Sequence, residues 1–136
     1  MKNYSDKVLF DYKHLPLEIH SQALPASLAS ECALEQGKFW EYADRLYANQ
    51  SDWSNVSNAS DTSKFKTYAR TLGLKTADFN QCLDDKKYQD KISADKNEGA
   101  SFGISGTPAI FVNDQFFSGA ISADQLKTAI DGEVNK

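Results

Sequence analysis

Apolar and polar positions run along this chain in two rhythms, and the switches between them set out the elements. Val8-Leu9-Phe10-Asp11-Tyr12 is a short, mostly apolar run that predicts a buried strand. His14-Leu15-Pro16-Leu17 ends it, because proline cannot donate to a ladder. Over residues 21–36 the period becomes helical: Leu24, Leu28 and Cys32 recur at i, i+4 and i+8, flanked by Ala29 and Ala33. Pro25 suits the first turn of that helix and Gly37 its C′ position. Residues 38–49 predict a second helix, with Phe39 and Trp40 as core anchors and Ala43, Leu46 and Tyr47 continuing the stripe.

Residues 50–61 are rich in Ser, Asn and Asp and predict a loop. Ser60 or Asp61 is placed to cap a third helix, where Phe65, Tyr68, Ala69 and Leu72 repeat at i, i+3, i+4 and i+7 before Gly73 closes it. Thr76 is the expected N-cap of one long helix reaching Phe102. Phe79, Cys82 and Leu83 lie on its apolar face, and Asp84-Asp85-Lys86-Lys87 forms a solvated one. The rhythm then returns to two. Residues 109–112 predict a strand, Asn113-Asp114 a turn, and residues 115–118 the partner strand of a hairpin. Ser122-Ala123-Asp124-Gln125 is a capping box opening a last helix through Ile130. A strand, several helices, a hairpin and a helix predict an α/β fold around one small sheet.

At 136 residues the chain is sized for one domain. Its net charge of −4 gives no basic face, which argues against nucleic acid and anionic membrane surfaces as partners. No apolar run approaches the roughly 18–20 residues needed for a membrane span. The first residues, Met1 to Lys7, are polar and no signal-peptide core follows, so no export address is expected in the chain as written. Two cysteines exclude a four-cysteine zinc site, and His14 and His20 stand at no recognised zinc spacing. No metal or other cofactor is expected.

The candidate chemistry lies in Gly106-Thr107-Pro108-Ala109 and in the cysteines. Thr107-Pro108 reads either as an ordinary proline leading into a strand or as a cis pair, since X-Pro bonds hold only a modest trans preference. Cys32 and Cys82 read as buried free thiols, as a structural disulfide, or as a redox pair. The redox reading is the weakest, because a reactive thiolate wants a helix N-terminus and both cysteines lie inside helical patterns. There is no Cys-x-x-Cys. His14 and His20 read most simply as solvated turn residues. Asn55-Val56-Ser57 and Asn58-Ala59-Ser60 match the glycosylation pattern, without further support.

Three segments in order carry a resemblance: Tyr12-Lys13-His14-Leu15-Pro16-Leu17, Glu35-Gln36-Gly37-Lys38-Phe39-Trp40-Glu41-Tyr42, and Gly103-Ile104-Ser105-Gly106-Thr107-Pro108-Ala109. They are similar to DsbA-like thioredoxin-fold disulfide oxidoreductases, the thioredoxin-4 type in particular, over residues 7–130. The resemblance implies one domain over residues 1–136. Its helical insertion and connecting helices would span about residues 18–103, with a cis-Pro loop, hairpin and C-terminal helix over residues 104–132. It implies disulfide formation or exchange in secreted proteins, in the periplasm or another extracytoplasmic compartment. Thr107 and Pro108 would hold an extended or unfolded polypeptide substrate by β-augmentation, and His14 would lie near that edge. It also favours the Cys32–Cys82 disulfide.

The family's first strand, its Cys-x-x-Cys and nearly all of its first helix have no counterpart here. The resemblance therefore implies a truncated domain with no catalytic residue of its own. It implies unpaired sheet edges that would recruit a second copy, giving a homodimer through the vacated strand position. The alternative is a redox-inactive, thioredoxin-like module that binds peptides or oligomerises.

Overall fold

A computed structural model of the chain describes residue 4 and residues 6–136. The polar N-terminal stretch noted above lies partly outside the described residues. The elements are α1 (Ala23–Leu34), α2 (Phe39–Ala48), α3 (Gln50–Trp53), α4 (Ser63–Thr71), α5 (Thr76–Asp84), α6 (Gln89–Ser101), β1 (Ala109–Val112), β2 (Gln115–Ser118) and α7 (Ala123–Val134).

Small side chains make α1 the hub. Ala26, Ala29, Cys32 and Ala33 are buried along it, so neighbouring backbones can come close. Helices α2, α4, α5 and α6 all pack against it. Tyr42, Phe65, Phe79 and Ile92 fill the space between them, each almost wholly buried. Burial of a side chain of that size contributes about 1.5–3 kcal/mol. The Tyr42 hydroxyl remains satisfied by donating to the Phe65 carbonyl at 2.8 Å. Gly37 and Gly73 end α1 and α4 with φ of +70° and +73°. There the next N–H reaches back to the helix: Lys38 to the Ala33 carbonyl and Leu74 to the Ala69 carbonyl, both at 3.0 Å.

The hairpin follows the sequence pattern residue for residue. β1 and β2 pair antiparallel, with Ala109 opposite Ser118 and Val112 opposite Gln115. Asn113 takes the turn at φ +51°, a left-handed conformation asparagine tolerates. The Ser122 capping box is present, with both reciprocal hydrogen bonds. Its helix runs to Val134 rather than stopping at Ile130.

Several expectations are corrected. Residues 8–12 form no strand, and Leu9 and Phe10 are 95% and 50% exposed rather than buried. A strand needs a ladder partner, and the only described sheet is β1–β2. Residues 50–53 are a short helix instead of loop, because the Trp53 indole donates to the Leu46 carbonyl at 2.9 Å and its ring packs on Phe65. Asp61 accepts the Ser63 N–H at the start of α4, although the cap position itself is Thr62. Thr76 is the first residue of α5 rather than its cap. Trp40 is half exposed, and only Phe39 is buried.

The long helix expected from Thr76 to Phe102 is two helices, α5 and α6. At about 100° per residue, an unbroken helix would put Ile92 and Asp95 on roughly the opposite face from Phe79, Cys82 and Leu83. All five are buried, so the helix must turn. Lys86 makes that turn at φ +50°, and Lys87 N–H closes it on the Cys82 carbonyl at 3.1 Å. A left-handed conformation costs a non-glycine residue about 1–2 kcal/mol. Tyr88 offsets this by packing against the core and donating its hydroxyl to Glu35 at 2.6 Å.

Candidate functional site

Gly103, at φ +73°, ends α6 and turns the chain into the loop before β1. Ile104 is half-buried there, and Ser105, Gly106, Thr107 and Pro108 are all exposed. The Thr107–Pro108 peptide bond is cis. The Pro108 carbonyl accepts the Gly119 N–H at 2.9 Å, which anchors the proline to the far end of β2. Among the described residues, the Thr107 N–H and carbonyl have no backbone partner. In the two-stranded sheet, β1 is paired only on its β2 side. One backbone edge is thus presented from Thr107 along β1.

An aromatic surface lies on one face of the hairpin. Phe111 and Phe116 are cross-strand partners with ring centroids 4.7 Å apart. Phe102, at the end of α6, lies 6.1 Å from Phe111. These three rings are 69%, 49% and 49% exposed for Phe102, Phe111 and Phe116. The other face carries Ile110 and Phe117 and is met by α7. A depression of about 480 Å³ opens between β2 and α7, lined by Gln115, Phe117, Gln125, Thr128 and Gly132, away from Thr107 and Pro108. Glu133 of α7 clamps the turn: it accepts from Asn113 at 2.9 Å and from Gln115 at 2.8 Å. With Lys136 as the leading cause, these partners hold its carboxyl down at about 2.

The cysteines do not join this edge. Cys32 and Cys82 are disulfide-bonded with an S–S distance of 2.01 Å, and both are buried between α1 and α5. This is the structural bridge among the three readings. Neither sulfur is at a helix N-terminus or at the surface, so the redox-pair reading fails. Among the described residues, no group of three or more His, Cys, Asp or Glu side chains is placed to hold a metal ion.

His14 overturns its expectation. It is 3% exposed rather than solvated, while His20 is exposed. Its Nε2–H donates to Glu31 Oε1 at 2.8 Å, and its backbone N–H donates to Asp95 Oδ2 at 3.0 Å. Lys91 donates to the same Glu31 oxygen at 2.8 Å. Burial pulls His14 below the usual histidine range, against the opposing pull of Glu31. Tyr12 lies over this cluster with its ring edge-on to His14, and burial raises its hydroxyl well above the ordinary tyrosine value. Glu31, Lys91 and Asp95 went unread in the sequence. The available signal was a lone acid, Glu31, inside an otherwise apolar helix face.

A family model described as thioredoxin, the thioredoxin-4 type, matches residues 1–132. The chain belongs to this DsbA-like thioredoxin family. Among the described residues the mixed α/β architecture, seven helices and a two-stranded sheet, agrees with a thioredoxin-like fold carrying a helical insertion. Curated relatives of this thioredoxin-family chain include Na(+)/H(+) antiporter NhaA 3 of Salinispora tropica, 32% identical over 124 residues, and Na(+)/H(+) antiporter NhaA 1 of Mycolicibacterium vanbaalenii, 31% identical over 134 residues. These matches cover 90% and 95% of the chain but only 18% and 20% of the relatives. The chain therefore spans about a fifth of their length. Among its described residues no helix is long and apolar enough to cross a membrane.

Proposed function

We propose that this chain holds extended polypeptide for thiol–disulfide chemistry of the DsbA type, and that the reacting cysteines are supplied from outside residues 1–136. The observation that carries this reading is the exposed Thr107–Pro108 unit, with free Thr107 backbone groups at the head of the open β1 edge. A peptide strand adding to that edge would gain main-chain hydrogen bonds, and Phe102, Phe111 and Phe116 offer apolar contacts on one face. Both cysteines of the chain are already bonded to each other, so neither is available as a nucleophile. The bridge also suits an extracytoplasmic setting.

The test is titration of the oxidised chain with an unfolded, cysteine-free polypeptide, followed by NMR. Backbone shifts should concentrate at Thr107, Pro108 and β1, and Thr107→Pro, which deletes the free N–H, should weaken binding by about tenfold, the equivalent of one good hydrogen bond. Shifts confined to α7 or to α2 would refute the reading. In an insulin-reduction assay the chain alone should show no turnover, and turnover abolished by Cys32→Ser would revive the redox-pair reading.

A second reading is a redox-inactive module that pairs with another copy. The exposed Leu9 and Phe10, on a stretch with no ladder partner, favour it. Sedimentation at increasing concentration separates the two: a monomer at all concentrations removes the second reading. The relatives' names suggest a third setting, in which a domain like this one works within or beside an ion antiporter. Transport itself would belong to the other four-fifths of such a protein.

A further inference from the structure

Residues 8–17 cross the surface without a sheet ladder and are held by side chains: Phe10 and Tyr12 pack on Trp40, Tyr12 also on Phe39, and Leu15 lies against Gly99 of α6. Among the described residues, His14 carries the one backbone N–H in residues 9–16 that has a protein partner. The Tyr12 hydroxyl meets Tyr47 at 3.2 Å at an exposed site. Lys13 reaches Glu98 at 3.2 Å across solvent. The buried fastening is His14 itself, with its ring on Glu31 of α1 and its N–H on Asp95 of α6.

We propose that His14 is a proton-operated latch, which holds residues 8–17 against α1 and α6 while its ring is neutral and releases them when the ring is protonated. The charge arrangement is the argument. Glu31 faces the ring from α1, and Lys91 and Asp95 face it from α6. Its own segment contributes Lys13 and Tyr12, and α2 contributes only the uncharged Phe39 ring at 6.2 Å. Lys91 lies 2.8 Å from Glu31 and 3.6 Å from Asp95, and Lys13 lies 3.9 Å from Asp95. Lys13 is nearer to Glu98, at 3.2 Å, and to Asp11, at 3.7 Å, than to Asp95, so Lys91 is the cation that bears on the ring. Lys91 already sits on the Glu31 oxygen that His14 uses, and a proton on His14 would put a second positive charge on that one oxygen at a site that is 3% exposed.

The direction with pH follows. In the released segment the ring is in water and has the ordinary value of about 6.5. In the closed state burial holds it lower, with Lys91 adding to burial and Glu31 and Asp95 opposing. The released form therefore binds the proton more tightly. The latch is fully closed above about pH 6.5 and loosens as pH falls below it, until the closed-state ring titrates as well. Release would separate Phe10 from Trp40, whose rings lie 5.3 Å apart, and free Leu9 and Phe10 for other contacts. The inference does not depend on the peptide-holding reading.

Amide exchange of the whole chain by NMR tests it between pH 7.5 and 5. The His14 amide, donated to Asp95, is the reporter, and the amides of Ala29 and Ala33 in α1 are the reference. Below pH 6.5 the His14 protection factor should fall by up to about tenfold per pH unit, the limit for one linked proton, while the reference holds. His14→Gln keeps a neutral hydrogen-bond donor and should flatten the profile. If that variant does not fold, the wild-type titration decides alone. A His14 ring that titrates while its amide stays protected overturns the latch. So does an equal loss at Ala29 and Ala33, or the wild-type slope persisting in folded His14→Gln.

Discussion

The helical unit from α1 to α6 and the hairpin with α7 are built on opposite terms. Among the described residues, Ala129 and Ile130 are the only buried apolar residues outside residues 23–101. The helical unit also contains the disulfide and the buried His14–Glu31–Asp95 cluster, rimmed by the exposed Lys91, which crosses from residues 8–17 into it. The hairpin instead shows Phe111 and Phe116 half exposed on one face and a loop of exposed residues ending at Pro108. A contiguous apolar patch is a candidate docking place, although α1 and α2 also expose Leu34, Trp40 and Tyr47. The difference teaches that the buried core and its covalent bridge are concentrated in one part of this small chain, while the polypeptide-holding edge proposed for it lies in the other.

The largest test of that division is a matched pair of truncations. Phe79→Ala, at a site with no exposure, should cost about 3–5 kcal/mol in urea denaturation. Phe116→Ala, at 49% exposure, should cost under about 1 kcal/mol while weakening polypeptide binding. Equal costs would break the comparison. Next in size is the bridge. Removing both cysteines as Cys32→Ala with Cys82→Ala frees a loop with a sequence separation of 50 and should cost up to about 4 kcal/mol, read as a lower denaturation midpoint. Polypeptide binding at the hairpin, measured below that midpoint, should be unchanged.

The smallest effect sharpens the hairpin side. Lys136, Asn113 and Gln115 hold the Glu133 carboxyl at about 2, below the ordinary glutamate value. A lowered carboxylate contributes above its unfolded value of about 4.3, and the contribution is lost as pH falls through the folded value. The side-chain amide signals of Asn113 and Gln115 should therefore stay fixed down to about pH 3 and move near pH 2. Movement already at pH 4 would show that α7 does not clamp the turn.

The sequence was most readable where structure is local. The hairpin bounds, the Ser122 capping box and the left-handed Gly37 and Gly73 all follow from neighbours a few residues apart. The break at Lys86 was legible in principle, since the buried positions change face between Leu83 and Ile92, but no glycine or proline marked it. The fate of His14 was not legible, because its partners lie 17 and 81 residues away. The missing strand at residues 8–12 fails for the same reason: a strand is decided by what lies beside it, and apolar composition alone does not supply a partner. At the candidate site, Thr107 and Pro108 were readable from their motif, whereas the surface of Phe102, Phe111 and Phe116 needed the fold to bring α6 and the hairpin together.

The bond between Cys32 and Cys82 also changes how the chain is threaded. Residues 32–82, carrying α2, α3 and α4, become a closed covalent ring. The largely exposed stretch over residues 54–61 lies within it and is the natural place for a protease to cut. Such a cut opens the ring but separates nothing. The nicked protein should migrate as one species until a reductant is added, and as two fragments afterwards.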